Sequence, residues 1–389
     1  MPGFEVFGKE EQAAINEIFE LNGGILFAHG FDAMRKGVYR VREFETAFAK
    51  KMKVPYAQAV ASGTAALKVA LKALGIKRGD EVIIPAFTFV ATAETVLDVG
   101  AIPVIVDIDE TLNIDPACME AAITKKTKAV IPVHMLGAPT EMDRIMEVAK
   151  KHEIRVLEDN AQGCGGSFKG EMLGTIGDMG TFSLDAGKVI HTGEGGMVLT
   201  KDRELFIKAR AYHDHGHEYS TTVGRAAEKA LLTGFNYRMS EFQGAIGLVQ
   251  LSKLDMILEK QRENKKKLKD ALKGLPYRFR RITDAEGELG DCIVFFLYSK
   301  EKALEFARKM GEKGLGTKNL PDAICWHFAR HWRHMFEEHG FYEKTWEKEW
   351  AVSADLLERS IALPVMVKMT DERIAFIVES ILAIADQVR

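Results

Sequence analysis

Three short segments of the chain carry side chains suited to chemistry, and each follows an apolar run typical of a buried strand. The segments are ASGTAAL at residues 61–67, LEDNAQ at residues 157–162 and FSLDAGK at residues 182–188. In open α/β sheets, ligands bind beyond the carboxyl ends of the strands. We therefore expect the three segments to lie close together at one edge of a sheet.

Each segment alone allows more than one interpretation. The turn at residues 62–64 leads into a helix whose free N–H groups suit a phosphate, although a serine there is more commonly only a helix cap. Glu158 and Asp159 indicate a carboxylate held for a cation, with a helix cap or a magnesium ligand as alternatives. Lys188 is a candidate nucleophile, which requires a desolvated site or a nearby cation, whereas a lone lysine is normally a surface residue.

In combination, the three segments predict a site for pyridoxal 5'-phosphate. This cofactor requires an anion-binding cradle, a carboxylate that keeps its pyridine nitrogen protonated, and a lysine that bonds to its aldehyde. The helix start after Ser62, then Asp159 and then Lys188 provide one of these parts each.

Beyond these residues, nearly the whole chain resembles the DegT-type sugar aminotransferases, a branch of the fold-type I pyridoxal-phosphate enzymes. The resemblance implies an enzyme that transfers amino groups. The segments that carry it, in chain order, are ASGTAAL, GDEVIIPAFTFVATA, GAIPVIVDID, VIPVHMLG, VLEDNAQ, TGEGGMV and GFNYRMSEFQGAIGLVQL.

The resemblance assigns roles to four residues around the cofactor ring. Lys188 corresponds to the lysine that bonds to the cofactor and moves the proton during catalysis. Asp159 corresponds to the carboxylate on the pyridine nitrogen, and Gln162 to the neighbour of the ring hydroxyl. Phe89 occupies the place of an aromatic ring that stacks on the pyridine as a flat apolar wall.

The resemblance also assigns the phosphate site and implies a homodimer. Gly63, Thr64 and Ser183 correspond to phosphate-binding positions, and Ala65 is expected to offer a backbone N–H. Asn236 corresponds to an asparagine that reaches the phosphate from the partner subunit. We therefore expect two active sites that are shared between two copies of the chain.

The substrates follow from the same resemblance. One branch of the family has histidine in place of the lysine and dehydrates sugars, so Lys188 favours amino transfer, with L-glutamate as donor and 2-oxoglutarate as product. EDNAQGCGGSFKG and the N-terminal MPGFEVFG are most similar to members that aminate the C8 aldehyde of 8-oxo Kdo, giving 8-amino-3,8-dideoxy-manno-octulosonate. A nucleotide-linked keto-sugar is the alternative acceptor. A remote alternative for the function of the whole protein is a pyridoxal-phosphate-dependent sensor.

An acidic sugar requires a cation, and the candidates are Arg35, Lys36, Arg40 and His215. The alternating histidines of HDHGH, residues 213–217, rarely reach the tetrahedral geometry of a metal site, so we expect no metal. The aromatic and basic segment CWHFARHWRH, residues 325–334, is typical of a packed surface between domains, with one substrate-facing member as the alternative.

The elements expected to position these residues form an α/β protein. Apolar runs rich in valine and isoleucine alternate with amphipathic helices, which predicts a mostly parallel seven-stranded sheet in a large cofactor-binding domain, residues 1–250. A long charged helix from about Ser240 to Leu272 leads into a smaller α+β domain, residues 251–389. The predicted sheet strands are Tyr56 to Val60, Glu81 to Pro85, Pro103 to Asp107, Ala129 to His134, Arg155 to Glu158, Gly180 to Leu184 and Gly196 to Thr200.

Composition excludes several other classes of protein. The 389 residues include 53 lysines and arginines and 56 acids, so the basic surface typical of a nucleic-acid binder is not expected. The four cysteines are far apart and predict neither a zinc site nor a disulfide framework. The sequence contains no apolar run long enough to span a bilayer and no leader-like segment, which predicts a cytoplasmic protein without a membrane anchor.

Overall fold

The computed structural model describes residues 2–388 except Asn22, Ile324, residues 342–345 and Glu347. In this described part of the chain, three helices come first, and strands and helices then alternate from residue 56 to residue 159, whereas the predicted alternation extended to residue 200. The strands are β1 (Tyr56–Val60), β2 (Glu81–Pro85), β3 (Ile102–Val106), β4 (Thr127–Val130), β5 (Arg155–Asp159), β6 (Ser167–Phe168), β7 (Glu171–Met172), β8 (Met179–Ser183), β9 (Gly196–Thr200), β10 (Arg278–Phe279), β11 (Cys292–Phe296) and β12 (Ser360–Pro364).

Seven of these strands form the central sheet, in the order β1-β9-β8-β5-β4-β2-β3. The neighbours from β8 through β3 pair in parallel, and β9 is antiparallel to both β8 and β1. Most side chains of these strands are buried on both faces, as a sheet covered by helices requires. The predicted α/β fold with a mostly parallel seven-stranded sheet is confirmed.

One predicted strand is shorter than expected. The apolar run 129–134 forms regular structure only as β4, because Pro132 has no N–H to donate to a ladder. The chain nevertheless stays beside β5, since the N–H of Asp159 donates to the Pro132 carbonyl over 2.9 Å. This contact keeps the segment after β4 next to the end of β5.

Helices cover both faces of the sheet and continue into the C-terminal part. The long helix predicted from Ser240 to Leu272 is present, and Ser240 caps it in a capping box with Gln243. The helices are α1 (Pro2–Glu5), α2 (Lys9–Leu21), α3 (Arg40–Lys51), α4 (Gly63–Ala73), α5 (Ala91–Asp98), α6 (Pro116–Ala121), α7 (Met142–Lys151), α8 (Arg203–Tyr212), α9 (Glu241–Ala271), α10 (Lys300–Glu312), α11 (Arg333–Glu338), α12 (Ala351–Glu358) and α13 (Asp371–Gln387).

The C-terminal part has a sheet and a core of its own. Strands β10, β11 and β12 pair antiparallel, and the core behind them includes Leu268 at the end of α9, Phe306 of α10 and Ile381 of α13. This arrangement is the predicted smaller α+β unit. The domain division between residues 250 and 251 stays a prediction, and α9 runs across that position.

Among the described residues, no helix combines the length and the hydrophobicity needed to cross a bilayer.

Candidate active site

A cavity of about 600 Å³ lies at the carboxyl ends of β1, β2, β5 and β8. The small C-terminal domain closes its other side with side chains from the loops before β11 and after α10. Most of the predicted site residues line this cavity, and the three sequence segments therefore converge as expected. The predicted residues in its wall are Gly63, Thr64, Phe89, Asp159, Gln162, Ser183 and Lys188.

The turn between β1 and α4 forms a cradle at one end of the cavity. The first N–H groups of α4 have no acceptor within the helix, and Gly63 and Thr64 line the cavity there. The turn packs tightly on Ser183, because a Cβ atom built on Gly63 would lie 2.8 Å from the Ser183 Cβ. The Ala65 N–H donates to the Ser62 cap over 3.0 Å, so its predicted part in phosphate binding stays a prediction.

Asp159 is buried at the end of β5 and faces the cavity. Its Oδ2 accepts a 2.8 Å hydrogen bond from the Thr92 hydroxyl, and its Oδ1 accepts a 3.1 Å bond from the Ala161 N–H. Burial raises the pKa of this carboxyl against the opposing effect of Thr92 and Ala161. A desolvated carboxylate of this kind is stabilised by a cation, and a protonated pyridine nitrogen is such a cation.

Glu158, the neighbouring acid, has a structural environment. Its oxygens accept N–H groups from Gly174, Ile176 and Gly177 and approach the His134 Nε2 at 3.1 Å. The His134 Nδ1 accepts the Thr140 N–H, which leaves Nε2 as the ring nitrogen that donates to the carboxylate. Of the two acids in the LEDNAQ segment, only Asp159 lines the cavity.

Lys188 is partly buried at the cavity, on the turn that joins β8 to β9. The backbone N–H of Lys188 donates to the Asp185 carbonyl over 2.9 Å, and the backbone carbonyl of Lys188 accepts the Gly3 N–H over 3.2 Å. Burial lowers the pKa of the Lys188 amine, with Asp185 and Asp159 acting in the opposite direction and Lys318 in the same one. The neutral amine needed for attack on a carbonyl is therefore favoured.

Gln162 and Phe89 complete the predicted residues around the cofactor ring. The Gln162 Oε1 accepts the Leu136 N–H over 2.9 Å, which leaves the amide N–H groups as the donors of this side chain. Phe89 is 44% exposed and lies at the cavity. Both arrangements suit a flat ring that carries a hydroxyl.

The sequence analysis did not assign Thr92 to the site, although Thr92 lies in the quoted GDEVIIPAFTFVATA segment.

The sequence analysis also left open which member of the 325–334 segment faces the substrate. Two backbone hydrogen bonds join this segment to the residues after β2. The Thr88 N–H donates to the His327 carbonyl over 3.0 Å, and the Val90 N–H donates to the Trp326 carbonyl over 2.7 Å. They place the His327 ring 5.4 Å from that of Phe89.

Other candidate residues have partners away from the cavity of their own chain. Arg35 is fully buried and pairs with Glu241 at 2.9 Å, and Arg40 pairs with Glu43 at 2.6 Å. Among the described residues, none of Arg35, Lys36, Arg40 and His215 lines the cavity, nor does Asn236. Instead, the sequence missed a lysine and an acid of the small domain that do so, Lys318 and Asp291.

The histidines at 213–217 also differ in their environments. His213 is buried, and burial lowers its pKa to about 4. His217 lies 2.8 Å from Glu228. Within the described parts of the chain, no group of three or more histidines, cysteines and acids is arranged to hold a metal ion.

A helix start with free N–H groups, a buried carboxylate and a lysine of lowered pKa on one cavity fit the requirements of pyridoxal 5'-phosphate, and the cavity is large enough for cofactor and substrate. The fold and the site thus define a pyridoxal-phosphate-dependent enzyme of fold type I. Residues 31–382 match the DegT/DnrJ/EryC1/StrS aminotransferase family, and the chain belongs to this family. The predicted family, enzyme class and cofactor are confirmed.

Known relatives are similar along most of the chain. A GDP-perosamine synthase of Escherichia coli O157:H7 is 35% identical over 347 residues, which are 89% of this chain and 90% of that protein. The GDP-perosamine synthase of Caulobacter vibrioides is 45% identical over 214 residues, 55% of this chain and 56% of that protein. The crystal structure of an aminotransferase from Psychrobacter cryohalolentis has a TM-score of 0.86 at 30% identity, covering 98% of both chains.

Proposed function

We propose that this enzyme transfers the amino group of L-glutamate to a sugar carbonyl, and that the acceptor is the C8 aldehyde of 8-oxo Kdo. The product would be 8-amino-3,8-dideoxy-manno-octulosonate. Amino-group transfer is supported by one observation: Lys188, Asp159 and the turn at Gly63 line the same cavity. Relatives whose names describe sugar products support a sugar acceptor.

The residues present divide the work of holding the cofactor. The α4 start with Gly63, Thr64 and Ser183 would bind the phosphate, and Asp159 would pair with the ring nitrogen. When bound, pyridoxal 5'-phosphate supplies an aldehyde carbon that takes the nitrogen and a ring that accepts the electron pair left at Cα. Asp159 makes that acceptance favourable, because an ionised carboxylate holds the ring nitrogen in its protonated form.

Lys188 performs the proton transfers in this proposal. Burial lowers the pKa of its amine and thereby favours the neutral form. The neutral amine takes the proton from the donor Cα as a general base and later gives it up as a general acid. The sugar carbonyl receives the nitrogen by the reverse sequence, with Lys188 in the same two roles.

The acceptor assignment is supported by the N-terminal and EDNAQGCGGSFKG segments, which are most similar to enzymes that act on the sugar acid. Their structure is consistent with a role near the substrate, because Pro2, Gln162 and Cys164 all line the cavity. A nucleotide-linked keto-sugar is the second candidate. It is favoured by the two relatives whose names contain a GDP-linked sugar.

We also propose that the enzyme is a homodimer with shared sites. Asn236 does not line the cavity of its own chain, as expected if it serves the partner subunit. The N-terminal region exposes large apolar side chains suited to an interface between two copies. They include Phe4, Phe19, Phe27, Phe31 and Met34, which are between 40% and 66% exposed.

A panel assay tests the acceptor. The enzyme is loaded with pyridoxal 5'-phosphate and L-glutamate and offered 8-oxo Kdo or a set of nucleotide keto-sugars, and the aminated product is identified by mass spectrometry. We expect turnover with 8-oxo Kdo. Amination of the nucleotide sugars alone would show that the acceptor assignment is wrong while the family assignment stands.

A simpler measurement separates an enzyme from a sensor. L-glutamate is added to the yellow holoenzyme without any acceptor, and the visible absorbance is followed. We expect glutamate to remove the yellow colour by completing the first half of the reaction. A colour that glutamate leaves unchanged would identify a binding protein rather than a transaminase.

A further inference from the structure

We propose that Lys318 is the residue that binds the carboxylate of substrates in this cavity. The inference rests on the proposed function, because it concerns how glutamate and an acidic sugar are held while they react. It names a binding group that the sequence left unplaced, since the four basic residues considered there do not line the cavity of their own chain.

Lys318 is held rigidly by the small domain. The backbone N–H of Lys318 donates to the Ala362 carbonyl of β12 over 2.8 Å. The side chains of Leu315 and Leu320, on either side in the sequence, are buried. The Lys318 side chain is only 28% exposed and lines the cavity. The backbone hydrogen bond and the buried neighbours therefore anchor this part of the loop beside the cavity.

Asp291 keeps the Lys318 ammonium charged and in place. The two side chains form an ion pair, and the Asp291 carbonyl accepts the Val365 N–H over 2.9 Å. Burial alone would lower the pKa of Lys318, but Asp291, together with Cys292, outweighs burial, and the pKa is raised. An ammonium has three N–H donors, and Asp291 is its one hydrogen-bond partner within the described residues.

Asp291 is itself built into the boundary between the domains. It is 6% exposed, and its Oδ1 has no hydrogen-bond partner in the described part of the chain. A Cβ atom at Gly137 of the large domain would lie 2.5 Å from that oxygen, so only a glycine leaves room for Asp291 at this position. The pair therefore sits where both domains meet the cavity.

Lys318 is the cation that remains available to a substrate. The cavity wall, as far as the structure describes it, contains two lysines, and Lys188 is the one proposed to bond to the cofactor. His327 is neutral near pH 7, because burial lowers its pKa to about 4. A carboxylate that enters a cavity without a cationic partner is costly to desolvate, so the remaining lysine is its natural partner.

One cation serves both halves of the reaction if the two substrates use the cavity in turn. L-glutamate brings two carboxylates and the proposed sugar acid brings one, so the chemistry to be recognised is the same. The experiment must therefore compare the carboxylate of the donor with that of the acceptor.

The donor is tested by binding to the holoenzyme. The ligand is 2-methyl-L-glutamate, which has no Cα proton to lose, and the readout is its dissociation constant by calorimetry. The variant is Lys318→Met combined with Asp291→Asn, which removes both charges and leaves no unpaired acid in the wall. We expect binding to weaken roughly 10-fold or more, because a charge-assisted hydrogen bond is lost.

Three comparisons make the result specific. Lys318→Arg should retain most of the affinity, and Lys313→Met, on an exposed residue of the same loop, should retain all of it. In the wild type, L-isoglutamine and L-glutamine, each with one carboxylate as an amide, identify which carboxylate is bound. The cofactor absorbance of each variant shows that the site is still loaded.

The acceptor is tested by the KM for 8-oxo Kdo and for its C1 amide. A change confined to glutamate assigns Lys318 to the donor, and a change with the sugar acid assigns it to the acceptor as well. If the charge-neutral variant binds both substrates as the wild type does, Lys318 only balances Asp291 and the inference is wrong. A wild type that glutamate does not bleach would instead contradict the proposed function itself.

Discussion

Glu158 and Asp159 are adjacent at the end of β5, and their side chains point to opposite faces of the sheet. Asp159 accepts a 2.8 Å hydrogen bond from Thr92 at the cavity, whereas Glu158 accepts a 2.7 Å bond from the Gly177 N–H behind the sheet. Successive side chains of a strand point to opposite faces, which separates the two acids. The first predictions use this difference.

Asp159→Asn should abolish most activity without unfolding the protein. The amide has the same shape but cannot hold a ring nitrogen in its protonated form. We expect kcat/KM to fall about 100-fold or more, since a charge that stabilises the transition state is lost. Thermal unfolding of the variant should stay close to that of the wild type. Near-wild-type turnover would contradict the role proposed for this carboxylate.

Glu158→Gln should have the reverse effect, a loss of stability. The buried carboxylate accepts three backbone N–H groups and the His134 N–H, and an amide cannot accept all of them. We expect the free energy of unfolding to decrease by about 3 kcal/mol, measured by urea denaturation. Glu147→Gln, on an exposed helix position, is the control and should change little. Equal stabilities of the two variants would refute this account.

Gly63→Ala should weaken cofactor binding. The new Cβ would lie 2.8 Å from the Ser183 Cβ, so the turn and the serine must move apart and the phosphate cradle widens. We expect the dissociation constant of pyridoxal 5'-phosphate to rise about 10-fold, measured by titration of the apoprotein. Gly8→Ala, where a Cβ meets nothing within 4 Å, provides the matched control. Unchanged affinity in the Gly63 variant would show that the turn does not form the cradle.

The Lys318 charge should affect the pH dependence of Lys188. A nearby cation disfavours protonated Lys188, so Lys318→Met raises the pKa of Lys188. The rate at which the apoenzyme bonds to pyridoxal 5'-phosphate increases as Lys188 loses its proton. The midpoint of the pH profile of this rate should therefore move to higher pH in Lys318→Met. A shift to lower pH would contradict the prediction.

Mixed dimers test whether the sites are shared. Lys188→Ala and Asn236→Ala are each expected to be inactive as homodimers, the first because it lacks the amine that moves the proton. If Asn236 serves the partner, a mixed dimer has one site with both residues intact. Subunits exchanged after mild denaturation should regain up to about a quarter of wild-type activity, because half of the dimers are mixed and each has one complete site. No recovery would place Asn236 in the site of its own chain, whereas an active Asn236→Ala homodimer would place it outside any site.

The amino-acid sequence by itself determined the order of the central elements and the residues that follow its strands. The bounds of β1, β2 and β9 agree with the prediction, because an apolar run buried on both faces is a local signal. Asp159, Gln162 and Lys188 follow such runs, and the carboxyl ends of parallel strands meet at one edge. Their presence on one cavity was therefore predictable.

Only the tertiary structure decided which residues of the small domain face Asp159, Gln162 and Lys188 across the cavity. Lys318, Asp291 and His327 belong to loops after residue 271, and no periodicity shows that these loops face β5 and β8. Periodicity reports which face of an element is buried, but not which distant element covers it. The direction of Glu158 away from the cavity depends on the loop 174–177 that surrounds it, and the second wall of the cavity depends on how the two domains pack.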